Sequence, residues 1–117
     1  MKRIGLLGCG AIGTQIALAI DSGRIPATLT HVYDIEQSHA ENLVSKLKQK
    51  PEVVANSHLL SSNSVELVVE AASQDAVRND AVSILQNKKD MMIMSAGALL
   101  DVSVFEVISD ACRDFGK

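Results

Sequence analysis

The sequence predicts an α/β fold, a doubly wound parallel sheet with helices on both faces, and three observations predict it. Strand-like and helix-like segments alternate along the whole chain. The strand-like segments are short contiguous apolar runs, as expected of strands covered on both faces. The first of them runs into a glycine loop, Gly8-Cys9-Gly10-Ala11-Ile12-Gly13, which in turn opens a helix. Parallel strands need right-handed crossover connections, so the expected strand order is 3-2-1-4-5. In such a Rossmann sheet, ligand binds at the carboxyl ends of the strands around the first one.

Arg3 to Leu7 is the first strand, an apolar run closed by glycines. From Ile12 a helical stripe of Ile12, Ile16, Ala19 and Ile20 runs to Ser22-Gly23. Leu29 to Tyr33 is the second strand, ended by Asp34. Ser38-His39-Ala40-Glu41 fits a capping box and is expected to start the second helix, with Ala40, Leu43, Val44 and Leu47 on one face and Pro51 after its end. Val53 to Ala55 is a very short third strand, and Ser61 to Ser64 a loop. Val65 to Glu70 is the fourth strand. The third helix puts Val77, Ala81, Ile84 and Leu85 in register and ends near Lys88-Lys89, whose charge suits a helix carboxyl end. Met91 to Met94 reads as another buried strand. The last helix, Ser103 to Phe115, is expected to bury Phe105, Ile108, Cys112 and Phe115.

Bulk properties narrow the function classes. A chain of 117 residues, 47% of them apolar, corresponds to one globular domain, residues 1–117. A net charge of −3 offers nothing to attract nucleic acid or an anionic membrane. No apolar run approaches the ~20 residues that span a bilayer, and the start of the chain has no signal-peptide core. Cys9 and Cys112 lie far apart, and the three histidines join no Cys, Asp or Glu at ligand spacing. No metal site is expected, and a reduced, cytoplasmic chain is the simplest reading.

The glycine loop carries the chemistry. Gly8 permits the tight turn, Gly10 lets the backbone approach a pyrophosphate with no Cβ in the way, and Gly13 lets the helix pack close to the strand. The phosphates meet free N–H groups at the positive end of the helix, in the turn Ala11-Ile12-Gly13. Asp34 follows Gly13 by about 20 residues, where a carboxylate binds the adenosine ribose hydroxyls, and Ile35 stands beside it. Glu36 adds negative charge, and neither neighbour of Asp34 is an arginine, so NAD is expected ahead of NADP. Two stretches at the carboxyl ends of strands, Glu70-Ala71-Ala72-Ser73-Gln74 and Ser95-Ala96-Gly97-Ala98, carry small residues that leave room for ribose and nicotinamide. Ser73 also suits the N-cap of the next helix. Cys9 reads as a small filler, with a thiol activated by the helix N-terminus as the alternative.

These residues resemble a known family. The run Ile4-Gly5-Leu6-Leu7 with the glycine loop, then Glu70-Ala71-Ala72-Ser73-Gln74-Asp75-Ala76-Val77, then Met94-Ser95-Ala96-Gly97-Ala98-Leu99 with Asp101, is similar to the amino-terminal NAD-binding half of archaeal-type L-aspartate dehydrogenase. The second and third segments carry most of the specificity. The resemblance implies oxidation of L-aspartate with NAD or NADP to iminoaspartate, which hydrolyses to oxaloacetate and ammonia or feeds NAD biosynthesis. It implies a homo-oligomer when full length, with a further strand and a carboxyl-terminal domain holding the substrate pocket and a catalytic histidine. Those parts would lie beyond Lys117, so no catalytic residue is carried over. The chain is then expected to be a cofactor domain alone, with its last strand missing and the edge of the fifth free to self-pair. The glycine loop, Asp34, Ala71 to Ser73 and Ser95 to Gly97 carry over as cofactor contacts. A nucleotide-sensing regulatory module is one alternative. The cofactor domain of a homoserine or dihydrodipicolinate-type dehydrogenase is another, because fold alone does not fix substrate.

Overall fold

The computed structural model describes residues 1–95, 97 and 102–117. Among them, five parallel strands form one sheet in the order β3-β2-β1-β4-β5, as the crossover argument requires. The strands are β1 (Lys2–Leu7), β2 (Ala27–Tyr33), β3 (Glu52–Val53), β4 (Leu67–Glu70) and β5 (Asp90–Ile93). The helices are α1 (Ala11–Asp21), α2 (Gln37–Ser45), α3 (Gln74–Gln86) and α4 (Val102–Phe115), with a 3-10 turn at Ser57–Ser61.

Side-chain alternation along the strands builds two cores. Ile4, Leu6, Val32 and Val69 face α1 and α2, packing on Ala17, Ile20, Ala40 and Leu43. Leu7 and Val68 face the other way, onto Leu60 and Ile84 of the 3-10 turn and α3. A bulge shifts the β1–β2 register between Ile4 and Gly5, after which Leu7 sits opposite Tyr33. That places the end of β1 beside the end of β2, where the Gly8 N–H donates to the Tyr33 carbonyl at 2.8 Å.

Several helix details depart from the sequence reading. In α1 the buried residues are Gly13, Ala17 and Ile20, while Ile12 is 55% exposed. The helix is held so close to β1 that small residues make the contact, and the bulkier Ile12 stays outside. The Ser38–Glu41 capping box does not form. α2 already starts at Gln37, with Glu36 as a cap that makes no side-chain bond. The Asp34 carboxylate accepts the Glu36 N–H at 2.8 Å and turns the chain into the helix earlier. The helix also stops at Ser45, short of Leu47, which is nonetheless buried. Lys50 supplies the ending, its ammonium donating to the Val44, Ser45 and Leu47 carbonyls. The following turn is tied down by Asp21, which accepts the Lys48 and Gln49 N–H groups, and these bonds hold its carboxyl below its usual range.

In α3 all four expected residues, Val77, Ala81, Ile84 and Leu85, are buried. The helix ends less by lysine charge than by backbone geometry: Lys88 takes the left-handed conformation, φ 61°, that usually goes to glycine. β5 is not a buried strand. Met91 and Ile93 pack toward α3 and α4, but Met92 is 53% and Met94 47% exposed. No described helix covers that second face, because α1 and α2 lie over β1 and β2. α4 buries Ile108 and Ala111 with Val104 and Cys112 packed alongside, whereas Phe105 and Phe115 are exposed. Its seat on α3 is narrow, so the buried stripe is turned from the one expected.

Candidate functional site

All the predicted site residues that are described gather at the carboxyl ends of β1, β2, β4 and β5; Ala96 lies outside the described residues. The three glycines have separate tasks. Gly8 has φ +108°, and a Cβ there would stand 2.7 Å from the Ala71–Ala72 backbone, so only glycine lets the β1 and β4 ends meet. A Cβ on Gly13 would lie 2.1 Å from the Gly8 carbonyl oxygen, which fixes the close approach of α1. Gly10 differs from both: nothing stands within 4 Å of its would-be Cβ. It is the N-cap of α1 and makes no side-chain cap bond. The first N–H groups of a helix have no intrahelical acceptor, and Gly10 adds no side chain of its own beside them.

Cys9 is 4% exposed, and its thiol points back to the Tyr33 carbonyl at 3.6 Å. Burial, and then the charge of Asp34, push the thiol up to about 12, so the activated-thiol alternative fails. Its backbone N–H is committed as well, donating to Asp34 Oδ2 at 2.8 Å. Asp34 therefore ties the glycine loop to the start of α2 through its two oxygens. With its side chain 12% exposed, it keeps lone pairs for further donors. Ile35 next to it is 88% exposed and lines the adjoining cleft.

That cleft, about 140 Å³, lies between the ends of β2 and β4. Leu7, Ile35, Ala72 and Ala76 give it apolar walls, and Asp75, Asn79 and Asp80 add acceptors from α3. The α3 side was not read from the sequence, although Ala76, Asn79 and Asp80 recur at helical spacing from Ser73. Ser73 does cap α3, accepting the Ala76 N–H at 3.1 Å, and it also faces the cleft. Ser57 holds Asp80 in place with a 2.8 Å bond.

Sequence reading names Glu70 at the end of the fourth strand but gives it no role of its own. It is fully buried, and its carboxylate accepts the Ala72 N–H at 2.7 Å, the Met94 N–H at 3.1 Å, the Ser95 N–H at 2.8 Å and the Ser95 hydroxyl at 2.7 Å. One carboxylate thus organises both small-residue stretches. The Ser95 proton is spent on Glu70, which leaves its oxygen to accept from a ligand rather than donate. Gly97 lies close against Gln74, whose side-chain amide a Cβ there would meet at 2.3 Å. Among the described residues no group of His, Cys, Asp and Glu could hold a metal ion, and no helix is long and apolar enough to cross a membrane.

Three comparisons bear on this geometry. Residues 8–117 match the family model described as "Homoserine dehydrogenase, NAD binding domain". The chain is 65% identical over 117 residues to an L-aspartate dehydrogenase from Nitrosopumilus maritimus, covering all of this chain and 43% of that protein. It is 42% identical over 114 residues to an L-aspartate dehydrogenase from Methanocella arvoryzae, covering 97% of this chain and 42% of that protein. The chain thus spans less than half the length of these curated relatives. Among solved structures, myo-inositol dehydrogenase from Lactobacillus casei in complex with NAD(H) and myo-inositol superposes with a TM-score of 0.86. It shares 18% identity and covers 95% of this chain and 33% of its own, a likeness of fold. With a matched model reaching from the glycine loop to the last residue, the chain belongs to the homoserine dehydrogenase-type family of NAD-binding domains.

Proposed function

We propose that this chain holds the dinucleotide of an L-aspartate dehydrogenase. The observation that carries this reading is the 65% identity, over every residue, to a protein of that name. The homoserine alternative has the family model's name behind it, but not a relative of comparable identity among the proteins compared above.

The residues fit such a group. Gly10 opens the N-terminus of α1 with no side chain of its own, which suits the pyrophosphate. Asp34 takes the adenosine ribose, and the cleft of Ile35, Ala72 and Ala76 takes a flat purine, with Asn79 and Asp80 within reach of an exocyclic amine. Ala71 to Ser73 and Ser95 to Gly97 border the nicotinamide end. When bound, the nicotinamide accepts hydride from the substrate's α-carbon; this chain contributes orientation and electrostatics.

Asp34→Ser is expected to shift preference from NAD toward NADP by on the order of 1–3 kcal/mol, because a carboxylate facing the 2′ position is lost. Paired titrations with NADH and NADPH measure it. A wild-type chain that binds NADPH more tightly than NADH contradicts this role for Asp34.

The substrate end is expected to come from elsewhere in the two-domain enzyme. Aspartate carries two carboxylates, which call for positioned cations such as bidentate arginines. Arg3 pairs with Glu66, Arg78 with Asp75 and Arg113 with Asp110, on three separate elements. The 117-residue chain incubated with L-aspartate and NAD is therefore expected to produce no sustained rise in reduced cofactor. Turnover would reveal a catalytic group within the chain.

A further inference from the structure

The net charge of −3 hides a division between the two ends of the sheet. Basic residues gather where the chain enters the strands: Lys2 opens β1, Arg24 precedes β2, Lys48 and Lys50 precede β3, and Lys88 and Lys89 precede β5. The carboxylates at this end are engaged. Glu52 pairs with His31 at 3.1 Å, Glu66 with Arg3 at 3.5 Å and Asp90 with Lys117 at 3.1 Å, while Asp21 accepts the Lys48 and Gln49 N–H groups. Glu66 is outnumbered: the Arg3 N–H bond, and then the charges of Arg3 and Lys2, hold its carboxyl below the usual range. Lys50 is spent on the end of α2. Among the described residues, the side chains of Lys2, Arg24, Lys48, Lys88 and Lys89 make no ion pair. In sheet order they follow one another as Lys48, Arg24, Lys2 and then Lys88 with Lys89, the Arg3–Glu66 pair filling the place of β4. With strands about 4.8 Å apart, the row is roughly 20 Å long.

We infer that this row binds a linear chain of phosphates, a nucleic-acid backbone or inorganic polyphosphate, laid across the strand entrances at the end of the sheet opposite the glycine loop. The arrangement favours a thread over a second protein surface, because the unpaired cations form a line, one or two to a strand. Lys2, Arg24, Lys48 and Lys88 are exposed, so a ligand reaches them without moving the fold. Lysine supplies a point charge that asks for no fixed phosphate geometry. Among the described residues no aromatic side chain stands in the row, so bases have nothing to stack on and only the backbone charge is read. Asp34, Asp75 and Asp80 line the opposite end and repel a polyanion there, which orients its approach. A low net charge therefore does not exclude such a ligand; the distribution of charge decides. The inference is independent of the dinucleotide reading.

Fluorescence anisotropy of a labelled short oligothymidylate, titrated with the chain at low salt and competed with inorganic polyphosphate, tests this. Saturable binding is expected, with log K falling against log salt at a slope of about −3, as four or five single-strand phosphate contacts give at about 0.7 each. Arg24→Glu and Lys88→Glu should each weaken binding by about fivefold and flatten that slope. Arg78→Glu, which changes the net charge as much as Arg24→Glu but lies on α3, should move affinity by less than about twofold. Gly10→Val should bind the oligonucleotide as the wild type does. Polyphosphate should displace the oligonucleotide, and the tighter of the two at equal charge names the source of the phosphates. No binding to a folded chain at low salt overturns the inference. So does a loss in Arg78→Glu equal to that in Arg24→Glu, which would leave net charge alone at work. A loss in Gly10→Val overturns it by putting the anion at the glycine loop, and an oligonucleotide that polyphosphate fails to displace overturns it by making the bases the ligand.

Discussion

Gly10→Val is expected to abolish NADH binding, lowering affinity by at least about 100-fold, equivalent to roughly 2.8 kcal/mol. The chain itself should remain folded. Gly10 sits in extended backbone at φ −80° and ψ −154°, which valine tolerates, and its Cβ would meet nothing within 4 Å. The cost to the fold is that of a poorer N-cap, about 1 kcal/mol. The loss falls on the ligand because a branched side chain would fill the space left for phosphate at the helix N-terminus. Gly13→Ala is the contrasting variant. Its methyl would sit 2.1 Å from a backbone oxygen, so α1 must leave β1 and the chain is expected not to fold. Circular dichroism with calorimetric titration separates the two. A folded Gly10→Val chain with wild-type affinity would remove the loop from the phosphate site.

Glu70→Ala is expected to cost on the order of 3–5 kcal/mol, since the Ala72, Met94 and Ser95 N–H groups lose an acceptor and a buried orphan costs about 1–3 kcal/mol. The Met94 N–H keeps its 3.1 Å bond to the Glu70 carbonyl, which is why the sum stays below three full penalties. Against a typical domain stability of about 5–15 kcal/mol, this brings the chain close to unfolding. Glu70→Gln should fall between, because it keeps one acceptor oxygen but turns an NH₂ toward groups that are themselves donors. Urea unfolding gives the comparison through its midpoint. A Glu70→Ala chain within about 1 kcal/mol of wild type, the size of an ordinary surface change, would show that the clamp does not matter.

These variants also mark what a sequence alone discloses. The glycine loop was legible because each glycine answers a local need that no other residue meets: positive φ, bare approach or close packing. The α3 stripe was legible because α3 lies flat on the sheet, and periodicity alone then reports burial. Phe105, Met92 and Met94 misled for the opposite reason. An apolar side chain shows that a residue can be covered, not that a neighbouring element is there to cover it. The capping box at Ser38 failed because a carboxylate four residues earlier reached the backbone first. The role of Glu70 stayed hidden because it lies in a partner, Ser95, 25 residues away across a crossover. Spacing rules reach along one element, and these contacts cross between elements.

The central claim, that a dinucleotide lies over the carboxyl ends of β1, β2 and β4, is tested most directly by mapping backbone amide shifts of the ¹⁵N-labelled chain during NADH titration. The account predicts saturable shifts concentrated at Gly10 to Gly13, Asp34 and Ile35, and Ala71 to Ser73, with β3 and the exposed face of α4 unmoved. Shifts confined to those remote surfaces, or none at all in a folded chain, would contradict it.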